Sequence, residues 1–247
     1  MNPLAWLGAM LVGLSLGLTG AGGSIITLPV LVYLAGVPPD QAVGLSLLVV
    51  GAAAAAGALQ RWKAGDFHPR AALMFAVAGM AGSMVGARFT RSVAPEVLMA
   101  VFAVLMLVVA LTMLLSRDEA LVMALECRPF RCLLAGGGVG LLTGFIGVGG
   151  GFLLMPALVK FARLPLRMAT GTSLAVIAFN ASAGFAAHFQ AASTDWKLAS
   201  LFSGIAVAGS IAGNHLAARL PVPRLRQGFA VMVLATGIWV LWRNLGA

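Results

Sequence analysis

The chain has 247 residues, 61% of them hydrophobic and only 9% charged, with a formal net charge of +9. A soluble domain carries about 25% charge, so this composition excludes an ordinary globular protein and points to an integral membrane protein. Seven acids against sixteen lysines and arginines fit basic cytoplasmic loops beside anionic membrane lipid, rather than a nucleic-acid partner.

In chain order, the start Met1-Asn2-Pro3-Leu4-Ala5-Trp6 lacks the basic n-region of a signal peptide, so the first hydrophobic stretch is expected to be retained. Hydrophobic stretches follow at about 4–36, 42–60, 69–89, 96–115, 132–160, 168–189, 198–218 and 227–242. Stretches of some twenty residues can each cross a hydrocarbon core of roughly 30 Å. The first and fifth are too long for one ordinary crossing. Both are broken by glycines, at Gly20-Ala21-Gly22-Gly23-Ser24 and at Gly147-Val148-Gly149-Gly150-Gly151, and both then run through apolar residues to a proline, Pro29 and Pro156. In hydrocarbon such broken backbone is tolerated only where protein covers it or where it lines a cavity.

The two knots are copies 127 positions apart, and the same offset aligns Gly13 with Gly140, Gly17 with Gly144, and Pro38 with Pro165. It also aligns Gly44 with Gly171, Ser46 with Ser173, Gly57 with Gly184, Gly82-Ser83 with Gly209-Ser210, and Gly86 with Gly213. The chain is therefore read as an internal duplication. The expected units are a first transmembrane repeat at 1–115, a cytoplasmic linker at 116–131 and a second repeat at 132–247. Cys127 and Cys132, in the linker and at its end, are taken as free thiols, since two cysteines make no disulfide framework.

Charge suggests the relative orientation of the halves. If each long stretch crosses once, lysines and arginines divide evenly between the two sides. If each stretch folds back at its glycines, Arg88, Arg91, Lys197 and Arg243 lie on one side and the other twelve on the opposite side. Only the second arrangement satisfies the positive-inside rule. The expected fold is thus an all-α membrane protein. It is a polytopic helical bundle of two inverted-topology repeats, each opening with a glycine-broken helix, either re-entrant or discontinuous. Both termini would be periplasmic in a bacterial inner membrane. Inverted repeats with broken helices at their interface describe a class of secondary transporter.

All seven acids lie in loops or at helix ends, so cation and metal pathways lack their usual ligands and a small anionic substrate is expected. Helices opening after glycine knots present unpaired N–H groups and a positive dipole end. The candidate binding residues are Gly22, Gly23 and Ser24 in the first half, facing Gly149, Gly150 and Gly151 in the second. Ser46, Thr172, Ser173 and Asn180 would add hydroxyls and an amide. Against this, glycines of this kind can serve only close helix packing, and Asn180 can serve only an interhelical hydrogen bond. Arg88 and His215 occupy equivalent places in the repeat. Arg88 suits snorkelling to the interface, and His215 is a weak candidate for a proton-sensitive gate. Arg163 and Arg167 suit lipid anchoring at the cytoplasmic mouth.

The paired knots, the run Leu164-Pro165-Leu166-Arg167-Met168-Ala169-Thr170-Gly171-Thr172-Ser173 and the run Gly82-Ser83-Met84-Val85-Gly86-Ala87-Arg88 resemble the sulfite exporter TauE/SafE family. The resemblance covers nearly the whole chain and includes its duplication. It implies a permease that exports sulfite or an organosulfonate such as sulfoacetate, with no catalytic residues, metal or cofactor. His215 departs from the arginine supplied by Arg88 in the first half. A proton or the membrane potential could drive export. An anion channel, or a permease for another small anion, is the alternative, and a homo-oligomer is compatible with the sequence.

Overall fold

A computed structural model describes residues 3–90, 95–115, 129–146, 151–188 and 196–245. Among these residues the chain is entirely helical. The first half contains α1 (Pro3–Thr19), α2 (Gly23–Pro29) continued by a π-helical turn (Val30–Leu34), α3 (Pro39–Lys63), α4 (Pro69–Thr90) and α5 (Pro95–Leu115). The second contains α6 (Pro129–Ile146), α7 (Gly151–Lys160), α8 (Leu166–His188), α9 (Trp196–Arg219) and α10 (Val222–Leu245). The offset read from the sequence carries Pro39 to Leu166, Pro69 to Trp196 and Pro95 to Val222, each of which opens a helix. Proline is suited to that position, because its fixed φ is already helical and its missing N–H would be unpaired there anyway. Inside α2, Pro29 instead removes a helical hydrogen bond, and the helix widens into the π turn directly after it.

Among the described residues, five helices are long and apolar enough to cross a membrane: α3, α4, α8, α9 and α10. α1 is shorter, at 17 residues or roughly 25 Å, and the chain doubles back after it. Gly23 lies against Val12 and Leu16, whereas Val30 and Leu34 lie against Gly8, near the opposite end of α1. The first long stretch is therefore a hairpin of two arms.

Glycine contacts fix the directions of the other helices. Gly13 and Gly17 of α1 press on the carbonyls of Ala206 and Ser210 of α9, so these two helices run parallel. Gly82 and Gly140 join α4 and α6 in the same way, against Gly137 and Gly79. A side chain at these glycines would collide with backbone, which cannot give way. By contrast, α3 and α8 run antiparallel: Gly57 meets Leu174, Gly51 meets Ala181, and Leu47 meets Gly184. α3 is also parallel to α9, bonded through Ala53 to Ser210 and through Gly57 to Asn214. The halves are therefore interlocked, each giving its first helix to the other's fourth. α9 ends at Arg219 and α10 starts at Val222, so the chain turns back and finishes at the end of the bundle where α1 began. The connection from α5 to α6 lies at the opposite end, called here the linker end.

One expectation about the linker is corrected. Cys132 is not a free thiol but is disulfide-bonded; the chain's other cysteine, Cys127, lies outside the described residues. A separation of four residues permits a short-loop bridge even where no cysteine framework exists.

Candidate functional site

The first knot begins where α1 stops. Gly20 adopts φ +75°, a left-handed conformation that costs other L-residues roughly 1–2 kcal/mol, and its N–H closes the last turn on the Leu16 carbonyl at 2.7 Å. Thr19 Oγ1 donates to the Ser15 carbonyl at 2.8 Å and accepts the Gly22 N–H at 2.9 Å. α8 holds the knot from the side. Ser173 Oγ donates to the carbonyls of Gly20 and Thr170, both at 2.9 Å, and a Cβ at Gly20 would lie 2.6 Å from the Thr170 methyl.

Of the second knot only Gly151 is described; Gly149 and Gly150 lie outside the described residues. A Cβ on Gly151 would lie 2.8 Å from both Ser24 Oγ and Ile177 Cδ1. The first turns of α2 and α7 therefore meet, with α8 alongside both. Gly22 and Gly23 are both buried; Gly22 packs on Ser15, Thr19 and Met232, and Gly23 on α1.

The hydroxyls are already committed. Ser24 donates to Ala21, Ser46 to Val43 and Thr172 to Met168, each a backbone carbonyl at 2.7–2.8 Å. Thr172 is fully buried and also accepts the His68 N–H at 3.1 Å, which pins the α3–α4 turn. In this conformation these side chains offer lone pairs, whereas an anion requires donors.

The antiparallel crossing separates residues that the sequence alignment pairs. The α3–α8 contact centres beside Ala53 and Asn180, which are aligned positions. Ser46 and Ser173 lie seven residues from that centre, on opposite sides of it, which places them roughly 20 Å apart along the helices. A single small anion cannot contact both. Asn180 is half-buried beside Gly79 of α4, and its Oδ1 is buried without a partner. Ser173, Ile177 and Asn180 fall on one stripe of α8, so Asn180 lies one turn beyond the contact with Gly151. Arg88 and His215 are both exposed and stand at opposite ends of the bundle.

The sequence analysis missed a second polar cluster, at the linker end. Arg61, in the last turn of α3, is 3% exposed. Its Nε donates to Asn214 Oδ1 of α9 at 3.0 Å, and its Nη1 to Asp66 Oδ2 at 3.3 Å. Asn214 Nδ2 donates in turn to the Gly57 carbonyl and to Gln60 Oε1, both at 3.1 Å. The available signal was a departure from the repeat: Asn214 aligns with Ala87, Gln60 with Ala187 and Arg61 with His188. Arg167 caps α9, its Nη2 donating to the carbonyls of Ala218 and Leu220 at 3.3 Å.

Residues 5–240 match the family described as Sulfite exporter TauE/SafE. The chain belongs to that family. It is similar to a "Probable membrane transporter protein" of Xylella fastidiosa (strain 9a5c), 36% identical over 245 residues that cover 95% of this chain and 92% of the relative. It also resembles "Probable membrane transporter protein YunE" of Bacillus subtilis (strain 168), at 25% identity and 82% coverage of each chain. A "Probable membrane transporter protein" of Haemophilus influenzae is 26% identical, with 95% and 96% covered. No solved structure matches. This TauE/SafE chain is thus a multi-pass membrane transporter and not an enzyme.

Proposed function

We propose that the chain is a secondary transporter that exports a small anion, sulfite or an organosulfonate such as sulfoacetate, by alternating access between inverted repeats at 1–115 and 132–247. The observation that carries this reading is the α3–α8 crossing. Inverted repeats require equivalent helices to run in opposite directions, and these two do so, with the amide of Asn180 at their centre. Buried polar groups without partners are uncommon in native structures. The orphaned Asn180 oxygen is an acceptor and does not itself receive an anion; the two Nδ2 donors of the same amide, close to the helix starts that meet at Ser24 and Gly151, are what an anion would take. On this reading the donors are the backbone N–H groups of Gly23, Ser24, Gly149, Gly150 and Gly151 together with the Asn180 amide, whereas the Gly22 N–H is already given to Thr19 Oγ1. Ser173 positions the first knot, and Thr172 serves the α3–α4 turn.

Efflux from proteoliposomes loaded in turn with sulfite, sulfoacetate, sulfate, chloride and acetate, with and without a pH gradient, tests the reading. The expected result is saturable efflux of a sulfur oxyanion, accelerated by external substrate and lost in Gly149→Leu and Asn180→Leu. Efflux without counterflow would instead indicate an anion channel. Movement of none of the five by folded protein would overturn the substrate class.

The linker end is proposed to face the cytoplasm, leaving both termini periplasmic. Among the described residues that end carries ten lysines and arginines against three at the other. Exposed tryptophans stand at both ends, Trp62 at the linker end and Trp196, Trp239 and Trp242 at the end with the termini, as expected of aromatic belts at both interfaces. The disulfide of Cys132 favours the opposite orientation, because disulfides persist in oxidising compartments. Reporters that are active only in the periplasm, fused at Ala247 and at Glu119, decide between the two: activity at Ala247 alone is expected, and activity at Glu119 alone would invert the assignment.

A further inference from the structure

We propose that Arg61 is an anion-receiving group at the linker end of the transport path, and that Asp66 is an internal carboxylate that the arriving anion displaces. This deepens the transport reading and rests on it for the identity of the anion.

An arginine almost never sits fully buried unless it is paired, and Arg61 is under-paired. Its side chain is 4% exposed, while the carboxylate facing it is 31% exposed. The 3.3 Å contact between them is longer than the 2.7–2.9 Å typical of charge-assisted bonds. Nε is spent on the neutral amide of Asn214. Nη2 is buried and has no hydrogen-bond partner among the described residues. A guanidinium carries five donors arranged to grip two oxygens of one anion side by side. Here the Nη1–Nη2 edge holds one long carboxylate contact, through Nη1 alone.

The surroundings strengthen the case. Arg167 lies within electrostatic reach of Arg61, which adds to the positive charge of the surroundings. Lys63 and Arg70, both exposed on either side of the turn, would draw anions towards it. The cluster is not a requirement of the repeat, since the second half builds the equivalent helix end with His188 and Ala187.

The position also links binding to gating. Arg61 belongs to α3 in the first half and is held by Asn214 of α9 in the second. The turn that carries Asp66 is packed under Gly171 and tied to Thr172 of α8. Separating the halves at this end breaks the bond between Arg61 and Asn214. An anion that takes the Nη1–Nη2 edge relieves the buried charge when that bond opens, so arrival of the solute and release of the linker end favour each other.

The test uses full-length protein in detergent and in liposomes, with sulfite as the probe and chloride as the comparison. Wild type, Asp66→Asn, Arg61→Lys and Arg61→Gln are compared by sulfite-dependent thermal stabilisation and by the half-saturation of sulfite flux. Asp66→Asn removes the competing carboxylate charge and is expected to lower the half-saturating sulfite concentration on the order of ten-fold, about the worth of one charge-assisted hydrogen bond. Arg61→Lys keeps the charge without the fork and is expected to raise it by a similar factor; Arg61→Gln is expected to abolish stabilisation by sulfite. A gain of affinity in Asp66→Asn cannot arise from misfolding, so it survives if Arg61→Gln fails to fold. Unchanged or weaker sulfite binding in Asp66→Asn would overturn the proposal. The two readings fail separately. Flux that is saturable but indifferent to Asp66 removes this site and leaves transport standing. Absent flux with tighter sulfite stabilisation in Asp66→Asn removes transport and leaves the site.

Discussion

At the linker end of the α3–α8 pair, Arg61 is clamped between Asp66 and Asn214 while Thr172 holds the adjoining turn. At the end that carries the termini, the matching positions are His188, Ser193, Ala87 and Leu45. The linker end is tied by buried polar bonds between the halves, and the matching positions at the other end carry neither the guanidinium, the carboxylate nor the amide that make those bonds. The turns differ in the same way. Gly36, with φ +69°, ends the first broken segment, whereas Arg163 occupies the equivalent place with φ 52°, in a region where only glycine is free of strain. The linker end thus carries both the buried guanidinium and the strained turn.

The contrast can be broken most severely at Gly171. A Cβ there would meet the Asp66 carbonyl and lie 2.8 Å from Arg61 Cβ, so Gly171→Val should cost about 3 kcal/mol or more and sharply reduce monodisperse protein on size-exclusion chromatography. At the other end of the same helix, Gly184→Ala would meet only the Leu47 methyls, at 3.2 Å or more. These can move, and the better helix propensity of alanine offsets the crowding. Its melting temperature should therefore stay close to wild type, within about 1 kcal/mol of stability. Equal damage at both sites would remove the distinction between the ends.

A smaller effect is expected at Thr172. Thr172→Val copies the apolar Leu45 of the other half and leaves the His68 N–H without its acceptor. The expected loss is about 1–2 kcal/mol in thermal unfolding, with the half-saturation of sulfite flux unchanged. A large change in half-saturation with intact stability would return Thr172 to the binding site. The smallest effect concerns Arg163. Arg163→Gly copies Gly36 and relieves the left-handed strain, so stability should rise by up to about 1 kcal/mol. A fall in melting temperature would show that the Arg163 side chain makes contacts worth more than the strain it causes.

Hydropathy, proline and glycine made much of the architecture readable. The helix starts at Pro39, Pro69 and Pro95 and their partners at Leu166, Trp196 and Val222 follow from local rules repeated at a fixed offset. The break after Thr19 was legible because Gly20 and its neighbours interrupt an apolar run that needs no interruption for packing alone. The site was less legible. Ser46 and Ser173 align in sequence and look like a pair, yet the antiparallel crossing sends them to opposite sides of its centre. Asn180 could be read as central only once Gly57, Gly51 and Gly184 had shown where the two helices meet. Arg61 was counted as one more loop cation, because nothing local distinguishes a solvated arginine at a helix end from one buried against a helix 153 positions away.

The sequence by itself determined that the chain is a helical membrane protein and where its helices break. Those properties depend on hydrophobic length, missing N–H groups and permitted φ, all of which are local. Only the tertiary structure decided that each half lends its first helix to the other. It likewise decided that Asn180 lies at the α3–α8 crossing, and that Arg61 spends its bonds on Asn214 and Asp66 with one nitrogen left over. Those outcomes depend on helix direction and on which distant backbone a glycine allows to approach. A residue's neighbours in sequence do not contain that information.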